Sequence, residues 1–370
     1  MKILHIITGL PSGGAEGALY RLVTADKGNH SIVISLMDEG KYGPLLESAG
    51  VELHMLNMAR GKISLSSFIS LIKLIKTIQP DLVQTWMYHA DFMGGIAARL
   101  AGVKKIVWGL RHTDLSTNHT SRSTRLISYI NSKLSYFIPS KIIACADRAK
   151  QVHIEAGYAE KKIIYVPNGY DLENVTIDLL ARKIIRKELD IGEEELCIGM
   201  VARYNPQKDH LNLIKAVGIL KNQGLKFKLL LIGPDIIASN AKLTRDINEA
   251  GISDYVRLLG PRSDVPAIMN SLDVHVLSSA GGEGFPNVLC EAMLCGTRCV
   301  STDVGDAAII IGETGEICQA SDSYALADAL AITLKLPNIL MRNHLARQRI
   351  IDNFSIEKMV KNFNSVWNLV

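Results

Sequence analysis

Strand-like apolar runs alternate with helical ones from the second residue, and this alternation leaves few folds open to the chain. KILHII precedes a glycine loop and the helical AEGALYRLV; SIVISLM and VELHMLNM follow, then a helix over 66–78. DLVQTWM, a helix over 91–100, KKIVWGL, a helix from Ser121 and KIIACA continue the pattern. The strands are continuous in Val, Ile and Leu, as expected when helices cover both faces of a sheet. An α/β doubly wound, largely parallel sheet follows from that. At VPNGYD (166–171) the pattern breaks into a turn and then a charged stretch to about Glu195. It restarts with LCIGMVAR, FKLLLIG, VRLLGP, VHVLSS and RCVSTDV, a second parallel sheet. Helical patterns fill 321–336 and 340 to the end. The expected division is 1–172, 173–352 and a final helical segment 353–370, with two Rossmann-like domains facing across a cleft.

At 370 residues, 48% hydrophobic and 21% charged, the chain can build two full cores. It has no run of eighteen apolar residues, and MKILHIITGL, ending at Pro11 and two glycines, reads as a first strand rather than a signal peptide. Of the six cysteines none forms a CxxC, and most sit in apolar patterns, so buried free thiols in a reducing cytosol are expected. The net charge of +4 divides into +6 over residues 1–175 and −2 over the remainder. A basic first half suits an anionic partner or a membrane surface but is too diffuse for a nucleic-acid protein.

The densest chemistry lies in SSAGGEGFPNVLCEAMLCG (278–296), where Glu283 stands in a loop and Glu291 inside an apolar helical pattern. Pro286 suits the first helical position. The N–H groups of that helix start, offered through Gly281, Gly282 and Gly284, favour an anion such as phosphate. A phosphate flanked by two carboxylates that accept sugar hydroxyls outlines a nucleotide-sugar site; the plain alternative is a surface helix with two solvated acids.

Three further places lie at carboxyl ends of expected strands, where open α/β sheets bind ligands. In GLPSGGAE, Gly13 and Gly14 precede a helix start that faces a phosphate or sugar, or else form an ordinary tight turn. In ARYNPQKDH, Arg203 ends a strand and Lys208 opens a helix. They either neutralise a departing diphosphate or belong to a solvated loop. In RHTD (111–114), directly after KKIVWGL, His112 can polarise a sugar hydroxyl, orient an acceptor or contribute its carbonyl. His89 is similarly placed after DLVQTWM, or simply caps the helix over 91–100. Finally, SRSTRLISYINSKLSYFI (121–138) sets Arg122, Arg125 and Lys133 among Leu126, Ile127, Tyr129, Ile130, Leu134, Tyr136 and Phe137. Such a segment either lies on an anionic bilayer or packs its apolar face on the sheet.

With these motifs in order, the chain resembles the retaining glycosyltransferases of family 4, which have the GT-B fold. The likeness runs over nearly the whole length. It is carried by GGAE (13–16), PNGYD, the R-x4-K of Arg203 and Lys208, EGFPNVLCE with its E-x7-E, and GTRCVSTDVGD (296–306). The resemblance implies an acceptor-binding first domain, a nucleotide-sugar-binding second domain and a final helix that crosses back to the first. It implies that Arg203 and Lys208 bind the donor diphosphate and stabilise the leaving nucleotide. Glu291 would hold the ribose and Glu283 the transferred sugar near the reacting carbon. Gly13 and Gly14 would form the first domain's loop over donor phosphates or acceptor. Gly282, Gly284, Phe285, Pro286 and Asn287 would complete the donor site. His112 would join the catalytic groups, with Arg111, Asp114 and His89 beside it on the acceptor side. No metal or other cofactor is implied, and no DxD-type pair is present. The chain departs from many relatives in the apolar run 307–311, where they carry an acid, and in the RHTD context of His112.

The expected activity is transfer of a hexose, with retention, from an NDP-sugar, foremost a UDP-sugar. The expected acceptor is a glycan or lipid-linked oligosaccharide in surface-polysaccharide assembly (O-antigen or capsule). The expected place is the cytoplasm, peripheral at the inner face of the membrane. The rival readings are a non-hydrolysing NDP-sugar epimerase and a catalytically silent sugar-nucleotide-binding subunit.

Overall fold

The computed structural model describes residues 1–59, 64–113, 121–173 and 175–370. They form two compact units, Met1–Tyr170 with Phe354–Val370, and Asp171–Asn353. In the first unit the strands are β1 (Lys2–Ile7), β2 (His30–Ser35), β3 (Glu52–Met55), β4 (Leu82–Trp86), β5 (Ile106–Leu110), β6 (Lys141–Ala144) and β7 (Ile163–Tyr165). They lie in the order β3-β2-β1-β4-β5-β6-β7 with every described pairing parallel. Ile3, Leu4, Ile6 and Ile7 are all fully buried, so β1 is covered on both faces, which is why these strands read as unbroken apolar runs. The order reverses direction at β1 and β4, and their carboxyl ends mark the switch point of this sheet.

Residues 354–370 complete this first core. Ser355 caps the helix Ile356–Asn368 by accepting from Lys358 N at 3.4 Å. Ile356, Met359, Phe363, Val366 and Trp367 join one cluster with Ile3, Ile7, Leu19, Trp86 and Val107. Trp367 donates its indole N–H to Gln84 on β4 at 3.1 Å, and Phe363 stacks on Trp86 at 5.8 Å. The PNGYD motif is built into the same packing. Gly169 N donates to Met359 Sδ at 3.0 Å, and a Cβ on Gly169 would stand 2.6 Å from Met359 Cβ. Asn168 accepts from Arg111 at 2.7 Å, and Arg21 lies over the Tyr170 ring.

The second unit repeats the plan with β8 (Cys197–Val201), β9 (Lys228–Ile232), β10 (Val256–Leu258), β11 (Val274–Leu277), β12 (Arg298–Thr302) and β13 (Glu316–Cys318). The order is β10-β9-β8-β11-β12-β13, again with parallel pairs, so this sheet switches direction at β8 and β11. At the amino ends of those two strands Asp273 is buried, accepting from Arg182 at 2.7 Å and from Cys197 N at 2.8 Å. Arg186 and Arg342 stand 3.4 and 3.8 Å from the same carboxylate. This end is a structural clamp; the opposite, carboxyl end is open for chemistry.

Several local expectations are corrected. The helix after Trp86 runs Tyr88–Leu100, so His89 lies in its first turn and does not cap a helix beginning at Asp91. Pro286 is the N-cap of Asn287–Leu294 rather than its first residue. Lys208 ends a 3-10 turn, Pro206–Lys208, and the α-helix begins only at His210. Of the two readings open for the helix Arg122–Leu134, packing of its whole apolar face is not what is seen: its buried residues are Ser128, Asn131 and Ser132, with Ile127, Ile130 and Leu134 half-buried. Asn131 donates to Tyr88 O at 2.9 Å while its buried Oδ1 finds no partner among the described residues, and Ser128 meets the Tyr158 hydroxyl at 3.2 Å. Leu126, Tyr129, Tyr136 and Phe137 are exposed instead. All six cysteines are free; five are buried and Cys318 is half-buried. Among the described residues no helix is long and apolar enough to cross a membrane.

Candidate functional site

In the second unit the carboxyl ends of β8 and β11 bring together residues far apart in the chain. β8 delivers Ala202 and Arg203; β11 delivers the loop from Ser278 to Pro286. Lys208 Nζ stands 2.5 Å from Glu283 Oε1, and Ser279 Oγ donates to the same oxygen at 2.6 Å. Ser279 is fully buried, and its carbonyl accepts from Thr302 Oγ1 on β12 at 2.7 Å. The serine is thus fixed before it reaches the carboxylate.

The two loops are sewn together by backbone. Ala280 N donates to Gln207 O at 2.9 Å, and Ser278 Oγ donates to the carbonyls of Lys208 and Asp209 at 3.0 and 3.1 Å. Gly282 has a φ of 73°, a left-handed backbone that favours glycine, and the Gln207 side chain packs against it where a Cβ would stand. Gly305 approaches the same loop from β12, with Asp306 N donating to Gly284 O at 2.9 Å. Lys208 and Glu283 are mostly enclosed, at 19% and 12% side-chain exposure, where a charge pair is poorly screened by water.

The remaining expected donor residues cluster around this pair. Arg203 is exposed at the end of β8 and makes no ion pair among the described residues. Glu291 is half-buried at the fifth position of the helix Asn287–Leu294; Phe285 and Pro286 are buried and Asn287 half-buried. Two histidines beneath the site were missed from sequence. His210 packs on the Tyr204 ring at 5.2 Å, and burial followed by repulsion from Lys208 lowers its pKa to about 4. His275, inside β11, is lowered to about 3 by the same two causes. Both stay neutral at physiological pH, so the site's positive charge rests on Lys208 and Arg203. A lone His in a strand pattern carries no signal that would have revealed this.

In the first unit the expected acceptor residues gather at the carboxyl ends of β4 and β5. Arg111 lies over the Trp86 ring at 4.3 Å with Nη1 donating to Asn168, and burial pulls its pKa below the usual guanidinium value. His112 is half-buried, its ring 6.4 Å from that of Tyr88. His89 is half-buried with its pKa lowered by burial. Asp114 lies outside the described residues. Gly13 is the N-cap of Gly14–Ala25 in extended conformation, and a Cβ on it would meet Glu16 Oε2 at 2.3 Å. Its extended backbone is open to any residue, so no left-handed turn calls for glycine here.

Sequence reasoning missed the polar network behind these residues. Asp91 accepts from Thr85 at 2.6 Å and Gly109 N at 3.2 Å, and burial raises its pKa to about 8. Tyr88 meets His153 at 2.7 Å. Met87 joins β4 to this network with φ 72° and ψ 159°, a backbone region costly for a side-chain-bearing residue. Among the described residues no group of three or more His, Cys, Asp or Glu is placed to hold a metal ion.

Comparison with known proteins assigns the two halves separately. Residues 12–174 match the family model Glycosyltransferase Family 4, and residues 195–335 match Glycosyl transferases group 1. The chain is 27% identical over 316 residues to the Escherichia coli UDP-Gal:alpha-D-GlcNAc-diphosphoundecaprenol alpha-1,3-galactosyltransferase, covering 82% of this chain and 79% of that protein. It is 26% identical over 334 residues to the Staphylococcus aureus capsular polysaccharide biosynthesis glycosyltransferase CapM, covering 85% and 84%. Anabaena Alr3699/HepE, solved in complex with UDP-glucose, superposes over all of both chains with a TM-score of 0.87 at 22% identity. The chain belongs to the family 4 type of glycosyltransferases with the GT-B fold.

Proposed function

We propose that this glycosyltransferase moves a hexose from a UDP-sugar to a lipid-linked glycan acceptor during assembly of a bacterial surface polysaccharide, with retention at the anomeric carbon and without a metal. The names of the relatives support donor and acceptor: one takes UDP-Gal to a diphosphoundecaprenol-linked sugar, and one serves capsule synthesis. The observation that carries the reading is the Lys208–Glu283–Ser279 constellation at the β8/β11 switch point, with Arg203 beside it.

In this reading a donor diphosphate is held by Arg203 and Lys208, cations that stabilise charge on the leaving phosphate as it grows. The diphosphate competes with Glu283 for Lys208, and Glu283 turns to the hydroxyls of the transferred sugar. Glu291 accepts the ribose hydroxyls. The acceptor hydroxyl attacks the anomeric carbon on the face the phosphate leaves. The new C–O bond forms as the old one to phosphate breaks, and the acceptor proton passes to the departing phosphate oxygen. Such a path needs no separate protein base. His112, Arg111, His89, Gly13 and Gly14 belong to the acceptor side of the reaction, in the first unit. The family matches are all to transferases and give the epimerase alternative no support.

The test is nucleotide release from UDP-, GDP- and ADP-sugars, with and without lipid-linked glycan, on the wild type and Arg203→Ala. Release from one UDP-sugar that rises with acceptor and collapses in the variant is expected. The anomeric coupling constant of the product reports retention or inversion, and activity in excess EDTA reports metal independence. Donor turnover to an isomer without transfer would overturn the reading.

A further inference from the structure

Behind the acceptor-side residues of the first unit lies a polar cluster to which the reaction has so far given no task. Tyr88, Asp91, Ser128, Asn131, His153 and Tyr158 are all buried. Apolar side chains would fill that space at less cost, because buried polar groups have to be paired. Even here Asp91 Oδ2 and Asn131 Oδ1 find no partner among the described residues. What a buried hydrogen-bond network adds to a core is one geometry in place of several.

The bonds of this network run in one direction. A carbonyl oxygen only accepts, so Ala149 O, 2.6 Å from His153 Nδ1, fixes the proton on that nitrogen. Burial lowers the His153 pKa to about 4, so the ring is neutral and its Nε2 is left as an acceptor. The Tyr88 hydroxyl, 2.7 Å away, therefore donates to it. At the other end of Tyr88 its carbonyl accepts from Asn131 at 2.9 Å, and the residue before it, Met87, holds a φ of 72°. Tyr88 is thus fixed from tip to backbone, and its ring lies 6.4 Å from that of His112 at an angle of 30°. Three residues further along the same helical face, Asp91 fixes the strand that carries His112. Its Oδ1 accepts from Thr85 on β4 at 2.6 Å and from Gly109 N on β5 at 3.2 Å. One turn of helix therefore sets the strand end through Asp91 and faces the imidazole with Tyr88.

We infer that Tyr88 and His153, with Asp91 behind them, are positioning residues for His112. They set the angle at which its imidazole meets the acceptor hydroxyl, and with it the line along which that hydroxyl reaches the anomeric carbon. Being buried, the three act through His112 and not on substrate. The inference rests on the acceptor-side role given to His112 under the proposed function, and it names the groups that hold that role in place.

The test separates transfer from donor chemistry, with UDP-galactose and UDP-glucose as donors and a lipid-linked glycan extract as acceptor. In Tyr88→Phe, acceptor-dependent transfer should fall about 10-fold, the order of one neutral hydrogen bond. The slow release of UDP without acceptor and the KM for donor should hold. His153→Leu should do the same, and the double variant should be no worse than either single one, because both remove one bond. His153→Gln keeps an acceptor near the place of Nε2 and should recover most of the loss. In a His112→Ala background Tyr88→Phe should have no further effect. A second measurement needs no substrate: in isotope-labelled protein the His112 ring resonance, assigned with His112→Ala, should move in Tyr88→Phe and in His153→Leu and stay in place in His153→Gln. Losses that add to that of His112→Ala, an equal fall in acceptor-free release, or an unmoved His112 resonance would each overturn the proposal. Arg203→Ala keeps the two readings apart. If UDP release survives that change, the donor site itself fails; if it collapses while Tyr88→Phe is silent, only the positioning role is lost.

Discussion

Lys208 and Glu283 stand 75 positions apart in the chain and meet at 2.5 Å, mostly out of water, at the point where the second sheet reverses its strand order. The cation and the carboxylate thus hold each other in register, and in the proposed function the first meets a diphosphate and the second a sugar. Glu283→Gln removes the charge and keeps the shape. Turnover is expected to fall on the order of 100-fold or more, while affinity for UDP measured by calorimetry holds or improves, since Lys208 no longer has a competing partner. Unchanged turnover would remove Glu283 from the site.

Ser279 acts through Glu283 rather than on substrate. Its 2.6 Å hydrogen bond to Oε1 is charge-assisted, and such bonds contribute roughly 1.5–3 kcal/mol. Ser279→Ala should lower kcat about 10- to 100-fold with KM for donor little changed, and Ser279→Thr should recover part of it. A loss confined to thermal stability would show the serine to be packing only.

Asp273 belongs to the opposite end of the same strands, where three guanidinium groups depend on one buried carboxylate. Asp273→Ala strands those charges, and a cost of about 3–5 kcal/mol is expected from denaturant unfolding of the second unit. Asp273→Asn should cost less, because Cys197 N keeps an acceptor.

Acid should unfold the protein early. His5, His153, His210 and His275 are held near 3, 4, 4 and 3 by burial, against 6.5 for free imidazole. Below pH 6.5 the unfolded chain binds more protons at these positions than the folded one, so stability falls as pH drops. Each imidazole contributes up to about 1.4 kcal/mol per pH unit in that window. Asp91, raised to about 8, works in the other direction: the folded state holds its proton between about pH 4 and 8, so that contribution is lost as pH rises. Urea midpoints should therefore peak near neutrality and fall steeply below pH 6. Asp91→Asn should flatten the alkaline side and steepen the fall below pH 6, because the opposing contribution of Asp91 reaches down to about pH 4.

Both sheets and the placing of Lys208 and Glu283 at the ends of β8 and β11 were legible because unbroken Val/Ile/Leu runs and the polar loops that follow them leave marks on a sequence. Element edges were less so. Pro286 fits a cap as well as a first turn, and Tyr88 begins its helix before the polar residues that normally announce one. The segment 121–138 left two readings open for a deeper reason. Periodicity shows which residues share a face, but not whether that face is turned inward; Ser128 and Asn131 are inside because Tyr158 and Tyr88 O await them. The neutral histidines and Asp91 were invisible, since burial is a property of the neighbours and not of the residue. PNGYD was read as a turn, and its glycine proved to be the seat for Met359.

That seat has a consequence for how the protein is made. Met359, Phe363 and Trp367 leave the ribosome almost two hundred residues after Gly169 and complete a core whose sheet is already out. The second unit is contiguous and can close as soon as it emerges, whereas the first must wait with Trp86 and Val107 incompletely covered. During that wait the nascent sheet is the sticky species, the one chaperones would meet. A translation pause or truncation before residues 354–370 are made would thus injure the unit whose sheet was made before the second unit.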